Sequence, residues 1–310
     1  MKKFLTRLFR ILVRNFIVSF LPVNLQRKIA QLGFPNLCSK NKKIDYIGNV
    51  FRSDFKIQAS TFSTIERVST SYFIDKTEPA LGMNQINFEN FVCIDVGANI
   101  GSISLFMIHL KAKKVIAFEP GPSYDKLCKN IALNKLDNKI IPINLGVNTE
   151  SNKFVWEEVG NYHNGYLKSL GTRLPNKNEK NIVETINLDE YLEKIGEKVI
   201  DFIKYDIEGM ELKAIMGSKE TIRVSKPILV VEVQEGSSKF FGYDCITPIF
   251  EYMYSLNYES YFYHKNKFVL FEFPKIKMNK NYEVLYKKQI PNFIGDVFFI
   301  HPEKKNLIKN

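Results

Sequence analysis

Apolar and polar residues follow two different periods along the chain, and the change of period predicts two regions. In the first 22 residues, apolar side chains recur at every third or fourth position: Leu5, Leu8, Leu12, Phe16 and Phe20. Basic residues repeat with the same spacing on another face, which predicts an amphipathic helix. From residue 89 onward, short β-rich apolar runs alternate with helical spacing, and this alternation is typical of an open parallel α/β sheet.

Strands and helices are predicted to alternate in the second region. We expect strands at 91–96, 114–119, 199–205, 228–233 and 296–302, and a strand pair within 258–273. Helices are expected at 102–110, after an N-cap at Ser123, and at 247–256. The polar stretch 160–175 is predicted to be a loop that closes over a substrate.

The stretch CIDVGANIGSIS joins the first of these strands to its helix. Gly97 and Gly101 let the backbone of this turn approach a ligand, and the helix directs free N–H groups into the crevice. A dinucleotide fingerprint reads GxGxxG, but Asn99 stands where its second glycine belongs. The turn therefore favours a nucleoside ligand without a diphosphate.

A carboxylate follows the next predicted strand. Glu119 lies 24 residues after Asp95, at the carboxyl end of the strand 114–119. A carboxylate at that position can accept hydrogen bonds from both hydroxyls of a ribose. Asp95 carries the negative charge that would orient an ammonium group.

The excess of positive charge is concentrated in the amino-terminal region. The formal net charge is +11, but residues 1–43 hold ten of the 44 Lys and Arg residues and no acid. The remainder has 34 basic against 33 acidic residues, so a nucleic-acid partner is not predicted. The four cysteines are scattered without a pairing pattern, which favours reduced thiols and a cytoplasmic protein.

The basic amino-terminal arm, residues 1–43, has too few consecutive apolar residues to cross a bilayer. Its arginines leave only residues 15–21 uninterrupted before Pro22, and a spanning helix needs about 20 apolar residues. We expect peripheral contact with an anionic membrane through the arm. A helix that packs on the domain and a signal anchor are the alternatives, although no cleavage site follows.

Carboxylates near the later strands are candidates for the acceptor side. Asp206 follows the strand 199–205 and Glu208 lies two residues on, so that either side chain could orient a hydroxyl and take its proton, with Asp206 preferred. His163 in the predicted loop is a third candidate base. Asp206 and Glu232 could supply half of a Mg²⁺ site, but no third oxygen ligand is identified, and no metal is predicted.

Four blocks carry a resemblance to a known family. They are DVGANIGSIS, FEPGPSYDKLCKNIALN, LDEYLEKIGEKVIDFIKYDIEGMELKAIMGS and KPILVVEVQE. In order and spacing they resemble the FkbM family of S-adenosylmethionine-dependent methyltransferases, over about residues 89–303.

The resemblance implies a fold, a donor and residue roles. The implied fold is a class I methyltransferase (Rossmann-like) α/β sheet of seven mostly parallel strands, with helices on both faces. The amino-terminal helical extension lies outside the resemblance and is predicted from its own residues. S-adenosylmethionine would be the donor. Glu119 would hold the ribose, and the methionine part would be surrounded by five residues: Asp95, Gly97, Ala98, Asn99 and Gly101. Asn130 and Asn134 also match the family pattern, and a purely structural role for both stays open.

These observations define two hypotheses and four segments. The first hypothesis is O-methylation of a sugar hydroxyl in a glycan or glycolipid; the second is an inactive, membrane-associated binding protein. A nicotinamide dehydrogenase is disfavoured by Asn99. The predicted segments are the arm (1–43), an extension packed on the core (44–88), the methyltransferase domain (89–303) and a tail (304–310). The sequence does not define the acceptor or the oligomeric state.

Overall fold

The computed structural model of the protein describes ten segments of the chain. They are residues 22–31, 44–50, 53–60, 82–158, 165–169, 182–233, 237–238, 241–264, 267–271 and 295–309.

Strands form three sheets within these segments. In chain order the strands are β1 (Asp45–Asn49), β2 (Lys56–Ser60), β3 (Val92–Val96), β4 (Lys114–Phe118), β5 (Ile140–Ile143), β6 (Gly146–Val147), β7 (Lys153–Glu158), β8 (Gly165–Ser169), β9 (Ile182–Ile186), β10 (Phe202–Tyr205), β11 (Ile228–Val233), β12 (Glu259–His264), β13 (Lys267–Phe271) and β14 (Gly295–Ile300). Every predicted strand is present; the strand 228–233 has the predicted bounds and the others have shifted ends. The predicted loop 160–175 contains β8.

The described helices are α1 (Val23–Gln31), α2 (Ser102–His109), α3 (Tyr124–Leu133), α4 (Leu188–Ile195), α5 (Glu211–Met216), α6 (Lys219–Ser225), α7 (Thr247–Ser255) and a 3₁₀ helix (Pro302–Leu307). Helix α3 begins after Ser123 as predicted, although the Ser123 side chain makes no capping hydrogen bond. None of the described helices combines the length and apolar content that a bilayer span requires.

The main sheet has the order β13-β12-β14-β11-β10-β3-β4-β5. Its five strands from β11 to β5 are parallel, and the other three pair antiparallel. The mostly parallel α/β fold is therefore confirmed, with eight strands where seven were expected. The additional strand is β13, the outer half of the predicted strand pair.

Strand alternation divides the core between the two faces of this sheet. Cys93 and Phe202 pack on one face with helices α2 and α3, together with Val50 and Ile57 of the extension. Ile94 and Ile203 pack on the other face with helices α4 to α7. Helices thus cover both faces, and the strand ends are left at the edge where ligands bind in such sheets.

Two asparagines of α3 attach the extension to this core. The Asn134 side chain accepts from Lys56 N–H at 2.7 Å and donates to the Lys56 carbonyl oxygen at 2.6 Å. Asn130 accepts from Gln58 N–H at 2.7 Å and donates to the Ile100 carbonyl oxygen at 2.8 Å. Both amides therefore act as partners for the backbone of β2, which gives them a structural role.

A second, smaller sheet is inserted between β5 and β10. Its order is β6-β9-β7-β8, with β7 antiparallel to both of its neighbours. It lies beside the residues that follow β4, where the site described below begins.

Candidate active site

The two ligand loops follow β3 and β10, which are adjacent parallel strands. The chain leaves this point in opposite directions across the sheet, and crevices for ligands form at such positions. Gly97 has φ +84°, and a Cβ there would lie 2.0 Å from the Asp206 carbonyl oxygen. The glycine is therefore required because the two loops touch, which was not foreseen from the sequence.

The turn itself is anchored on the neighbouring strand. Gly97 N–H and Ala98 N–H donate to the Phe118 carbonyl oxygen at 3.0 and 2.9 Å. Asn99 and Gly101 both have positive φ, of 51° and 90°. The turn is thus a fixed, strongly bent backbone that begins α2.

Asp95 lies at the bottom of the crevice. It is fully buried, and its Oδ2 accepts from Ser104 Oγ at 2.5 Å. Its Oδ1 is buried without a hydrogen-bond partner among the described residues. Burial raises the pKa of Asp95 and the Asp206 charge adds to this, whereas Lys204 and the Ser104 hydrogen bond lower it. A cationic group that reached Oδ1 would complete the hydrogen bonding of this carboxylate.

Glu119 directly follows β4 and is also buried. Its Oε2 accepts from Asn99 N–H and its Oε1 from Gly121 N–H, both at 2.8 Å. Burial raises the pKa of Glu119 to about 7, against these two hydrogen bonds, and the charges of Asp95 and Asp206 contribute. Each oxygen retains a lone pair, so the side chain can still accept from a diol.

Asp206 is paired with a lysine that sequence reasoning missed. Lys204 is only 3% exposed, and its Nζ lies 2.5 Å from Asp206 Oδ2. Burial would raise the pKa of Asp206, but the Lys204 charge and a hydrogen bond from Glu232 hold it below its ordinary value. Burial likewise opposes the Lys204 charge, but the nearby acids raise the pKa of Lys204. A lysine within the apolar run DFIKYD was the available signal, because a buried lysine requires a partner.

Two further carboxylates converge on Asp206. Asp206, Glu208 and Glu232 each offer an oxygen, and these oxygens lie within 4.8 Å of one another. Burial and then the Asp206 charge raise the pKa of Glu232 well above its ordinary value. The protonated form of Glu232 is thus favoured, and it would donate a hydrogen bond to Asp206. Glu208, with φ +56°, supplies the third oxygen that the sequence did not identify.

Glu211 fixes the loop that carries these acids. The structure shows it only 3% exposed. Its Oε1 accepts from Ile207 N–H at 3.0 Å and Gly209 N–H at 3.1 Å. The loop turns these amides inward, and Glu211 supplies the internal acceptor that they need.

The remaining candidate base lies outside the described residues. His163 belongs to the undescribed segment 159–164, so its role stays a prediction.

Comparison with known proteins gives one family match. The model of the methyltransferase FkbM domain matches residues 95–276 of the chain. This range includes the two ligand loops and all the acids described above.

Two curated relatives are also methyltransferases. The chain is 28% identical over 149 residues to the hexuronic acid methyltransferase AglP of Haloferax volcanii, covering 48% of the chain and 58% of that protein. It is 28% identical over 172 residues to the methyltransferase sdnD of Sordaria araneosa, covering 46% and 66%. The chain thus matches less than two thirds of the length of each.

Among solved structures, the FkbM methyltransferase of Methylobacillus flagellatus is similar with a TM-score of 0.42 and 16% identity. That match covers 68% of this chain and 43% of the other. The precorrin-6y C5,15-methyltransferase of Geobacter metallireducens is similar with a TM-score of 0.36 and 12% identity, covering 72% and 84%.

Proposed function

The chain belongs to the FkbM methyltransferase family, whose domain model matches more than half of its residues, and from this premise we propose that it methylates a sugar hydroxyl. The proposed donor is S-adenosylmethionine, which supplies a methyl group on a sulfonium for direct displacement. The observation that carries the proposal is the pair of buried acids, Asp95 and Glu119, on either side of the Gly97 turn.

The two acids fit different parts of the donor. Asp95 Oδ1, buried without a described partner, would accept from the donor's ammonium group. Glu119 would accept from the two ribose hydroxyls, because its existing hydrogen bonds leave a lone pair on each oxygen. Gly97, Ala98, Asn99 and Gly101 would line the space between them.

Asp206 is the proposed base on the acceptor side. Methyl transfer requires mainly alignment of the nucleophile and late removal of one proton. Asp206 is 36% exposed, so an acceptor hydroxyl can reach it, and Lys204 keeps it charged. The acceptor oxygen would bond to the methyl carbon, and its proton would pass to Asp206. Glu208 is the second choice, and His163 is the third.

A carbohydrate acceptor is supported by one relative. AglP is named as a hexuronic acid methyltransferase. Both ligand loops of this chain lie within the range 95–276 that the family model matches. We therefore propose a sugar of a glycan or glycolipid as the acceptor and an oxygen as the methylated atom.

The test is methyl transfer from labelled donor to a panel of glycans and lipid-linked sugars, combined with calorimetry of S-adenosylhomocysteine. Binding of S-adenosylhomocysteine with a Kd in the micromolar range and labelled sugar are the expected results. Binding without transfer to any sugar would instead favour the inactive binding protein. A response to NAD but none to S-adenosylhomocysteine would refute the donor assignment.

We further propose that the basic arm holds the enzyme at the cytoplasmic face of an anionic membrane. Ten basic residues without an acid attract anionic lipid, at about 1 kcal/mol for each residue near the surface. The apolar stripe adds burial, so binding should weaken with salt but persist.

Deletion of residues 1–21 tests this proposal, because helix α1 begins at Val23 and its Arg27 Nε donates to the Asp45 carbonyl oxygen at 3.0 Å. The truncated chain should stop floating with anionic vesicles and still bind S-adenosylhomocysteine. A variant with Arg7, Arg10 and Arg14 changed to Gln should lose only the salt-sensitive part. Equal flotation of all three chains would mean that the arm packs on the domain.

A further inference from the structure

The segment that follows β11 packs against the loop that carries Asp206 and Glu208. A Cβ on Gly209, which has φ +102°, would lie 2.6 Å from Phe241 Cε2 and 2.8 Å from Ser237 Cβ. The Phe241 ring therefore touches the backbone of this loop one residue after Glu208, and a glycine there leaves room for it. None of the roles proposed above uses this segment.

Phe241 forms an aromatic pair with Tyr243, two residues further along the chain. Their ring centroids are 5.8 Å apart, with an angle of 35° between the ring planes. Gly242 between them has φ +72°, a conformation that glycine adopts without strain. Phe241 is half-buried, whereas Tyr243 is 44% exposed and is the ring of the pair that a ligand can reach.

Hydrogen bonds hold this turn in one conformation. The buried Ser238 accepts from Gly242 N–H through its carbonyl oxygen at 2.9 Å and from Cys245 N–H through Oγ at 3.0 Å. Asp244 Oδ1 accepts from Thr247 N–H at 2.9 Å, where α7 begins. The exposed ring of the pair is thus presented on a fixed backbone, so that little ordering is needed when a ligand binds.

The exposed ring lies beside the acids of the acceptor side. Burial and then Cys245 raise the pKa of Tyr243, and the charge of Glu211 contributes. Glu211 Oε1 in turn accepts from Gly209 N–H at 3.1 Å. Two separate contacts, through Phe241 and through Glu211, therefore place Tyr243 next to the loop that carries the proposed base.

This combination of groups is suited to a sugar ring. A pyranose has C–H groups on its ring faces and hydroxyls around its edge. The faces pack on an aromatic side chain, and the hydroxyls donate to carboxylate oxygens. Asp206 and Glu208 offer such oxygens within 4.8 Å of each other. A sugar packed on Tyr243 would therefore direct an edge hydroxyl toward the proposed base.

We propose that Tyr243 is an acceptor-binding residue, against which the sugar ring packs while one of its hydroxyls meets Asp206. Phe241 is then a positioning residue, because it contacts Gly209 and supports the Tyr243 ring. This inference rests on the proposed sugar acceptor and deepens it by naming a side chain that recognises the ring.

Steady-state kinetics test this assignment, with the glycan of the panel that labelled donor methylates fastest as the probe. Tyr243→Ala should raise the KM for this acceptor about tenfold, the scale of one aromatic contact with its buried area. The Kd of S-adenosylhomocysteine should stay unchanged. Tyr243→Phe keeps the ring and should retain the acceptor KM. Tyr243→Leu keeps an apolar side chain without a flat ring and should resemble Tyr243→Ala.

Leu270→Ala is the matched control, because it also removes an exposed apolar side chain. Leu270 is 50% exposed and lies on β13, at the edge of the main sheet and three strands from β11. This variant should keep the acceptor KM, kcat and S-adenosylhomocysteine affinity of the unsubstituted chain.

The outcomes separate this inference from the proposed function. An unchanged acceptor KM in Tyr243→Ala, or an equal rise in Tyr243→Phe, would overturn the stacking role and leave sugar methylation intact. Weaker S-adenosylhomocysteine binding in Tyr243→Ala and Tyr243→Leu would also overturn it, because Tyr243 would then support the donor side. Absence of transfer to any sugar by the unsubstituted chain would refute both. If Tyr243→Ala does not fold, Tyr243→Leu and Tyr243→Phe still decide.

Discussion

Glu119 and Asp206 carry the same chemical group at the same edge of the main sheet, but their surroundings favour opposite charge states. Burial raises the pKa of Glu119 to about 7, with only backbone N–H donors to oppose it. Asp206 is subject to the same effect, yet the Lys204 ammonium at 2.5 Å lowers its pKa. The buried Lys204 therefore accounts for the difference between the two side chains. Asp206 stays charged and can accept a proton, whereas Glu119 has no such partner and burial favours its protonated form.

Asp206→Asn tests the acceptor side of the site, and we expect it to have the largest effect on activity. We expect turnover to fall at least about 100-fold, the usual scale for a positioned base, while S-adenosylhomocysteine binding stays nearly unchanged. Steady-state kinetics on a verified acceptor, with calorimetry alongside, measure both. Glu251→Gln, on the exposed face of α7, is the control. Near-normal kcat in Asp206→Asn, with a loss in Glu208→Gln, would transfer the role of base to Glu208.

Glu119→Ala should have the complementary effect on the donor side. Two ribose hydroxyls would lose their acceptor, so S-adenosylhomocysteine binding should weaken by about 2–3 kcal/mol. Calorimetry of the variant beside Glu89→Ala, which removes an exposed carboxylate just before β3, isolates the effect. Unchanged affinity in Glu119→Ala would exclude Glu119 as the ribose acceptor.

The pH dependence of binding should show the raised pKa of Glu119 directly. Its carboxylate is the form that accepts from two hydroxyls, so ligand binding must displace a proton below about pH 7. Affinity for S-adenosylhomocysteine should therefore be full near pH 8 and about tenfold lower near pH 6. Asp95, whose pKa is also raised, acts in the same direction.

Glu119→Gln separates these two contributions. The variant should bind more weakly at every pH, with the Glu119 part of the pH dependence removed. Any dependence that persists comes from the other carboxyl groups with a raised pKa, which are Asp95, Glu211 and Glu232. A pH profile identical to that of the unsubstituted chain would mean that Glu119 does not titrate in this range.

The sequence predicted the parts of the site that follow from strand ends and turns. Asp95, Glu119 and Asp206 were identified because a carboxylate at the end of a parallel strand reaches the ligand edge of the sheet. The fold was predictable for the same reason, since short apolar runs and helical spacing alternate in one order. Even so, the reason for Gly97 was missed, because the contact with Asp206 joins segments more than 100 residues apart.

Among the partners of these acids, only Lys204 had a signal in the sequence, the lysine within DFIKYD. Ser104, Lys204 and Glu211 act through hydrogen bonds or charge pairs that depend on how strands and loops pack. Phe241 lies in a stretch without a motif, and only the folding of the chain brings it beside Gly209. Local sequence patterns therefore identified the charged groups, whereas the prediction of their protonation states requires the tertiary structure.

Removal of divalent ions should have the smallest effect on activity. It tests whether Lys204 or a metal ion gives Asp206 a lower pKa than Glu119. Asp206, Glu208 and Glu232 offer three oxygens to a hard cation such as Mg²⁺. However, the Lys204 ammonium already contacts Asp206, and the raised pKa of Glu232 favours its protonated form. A metal would have to displace that proton and share Asp206 with a buried positive charge. Treatment with EDTA should therefore leave both turnover and S-adenosylhomocysteine affinity unchanged, as measured in the assays above. Loss of turnover on chelation, restored by Mg²⁺, would show that a metal ion and not Lys204 sets the charge of Asp206.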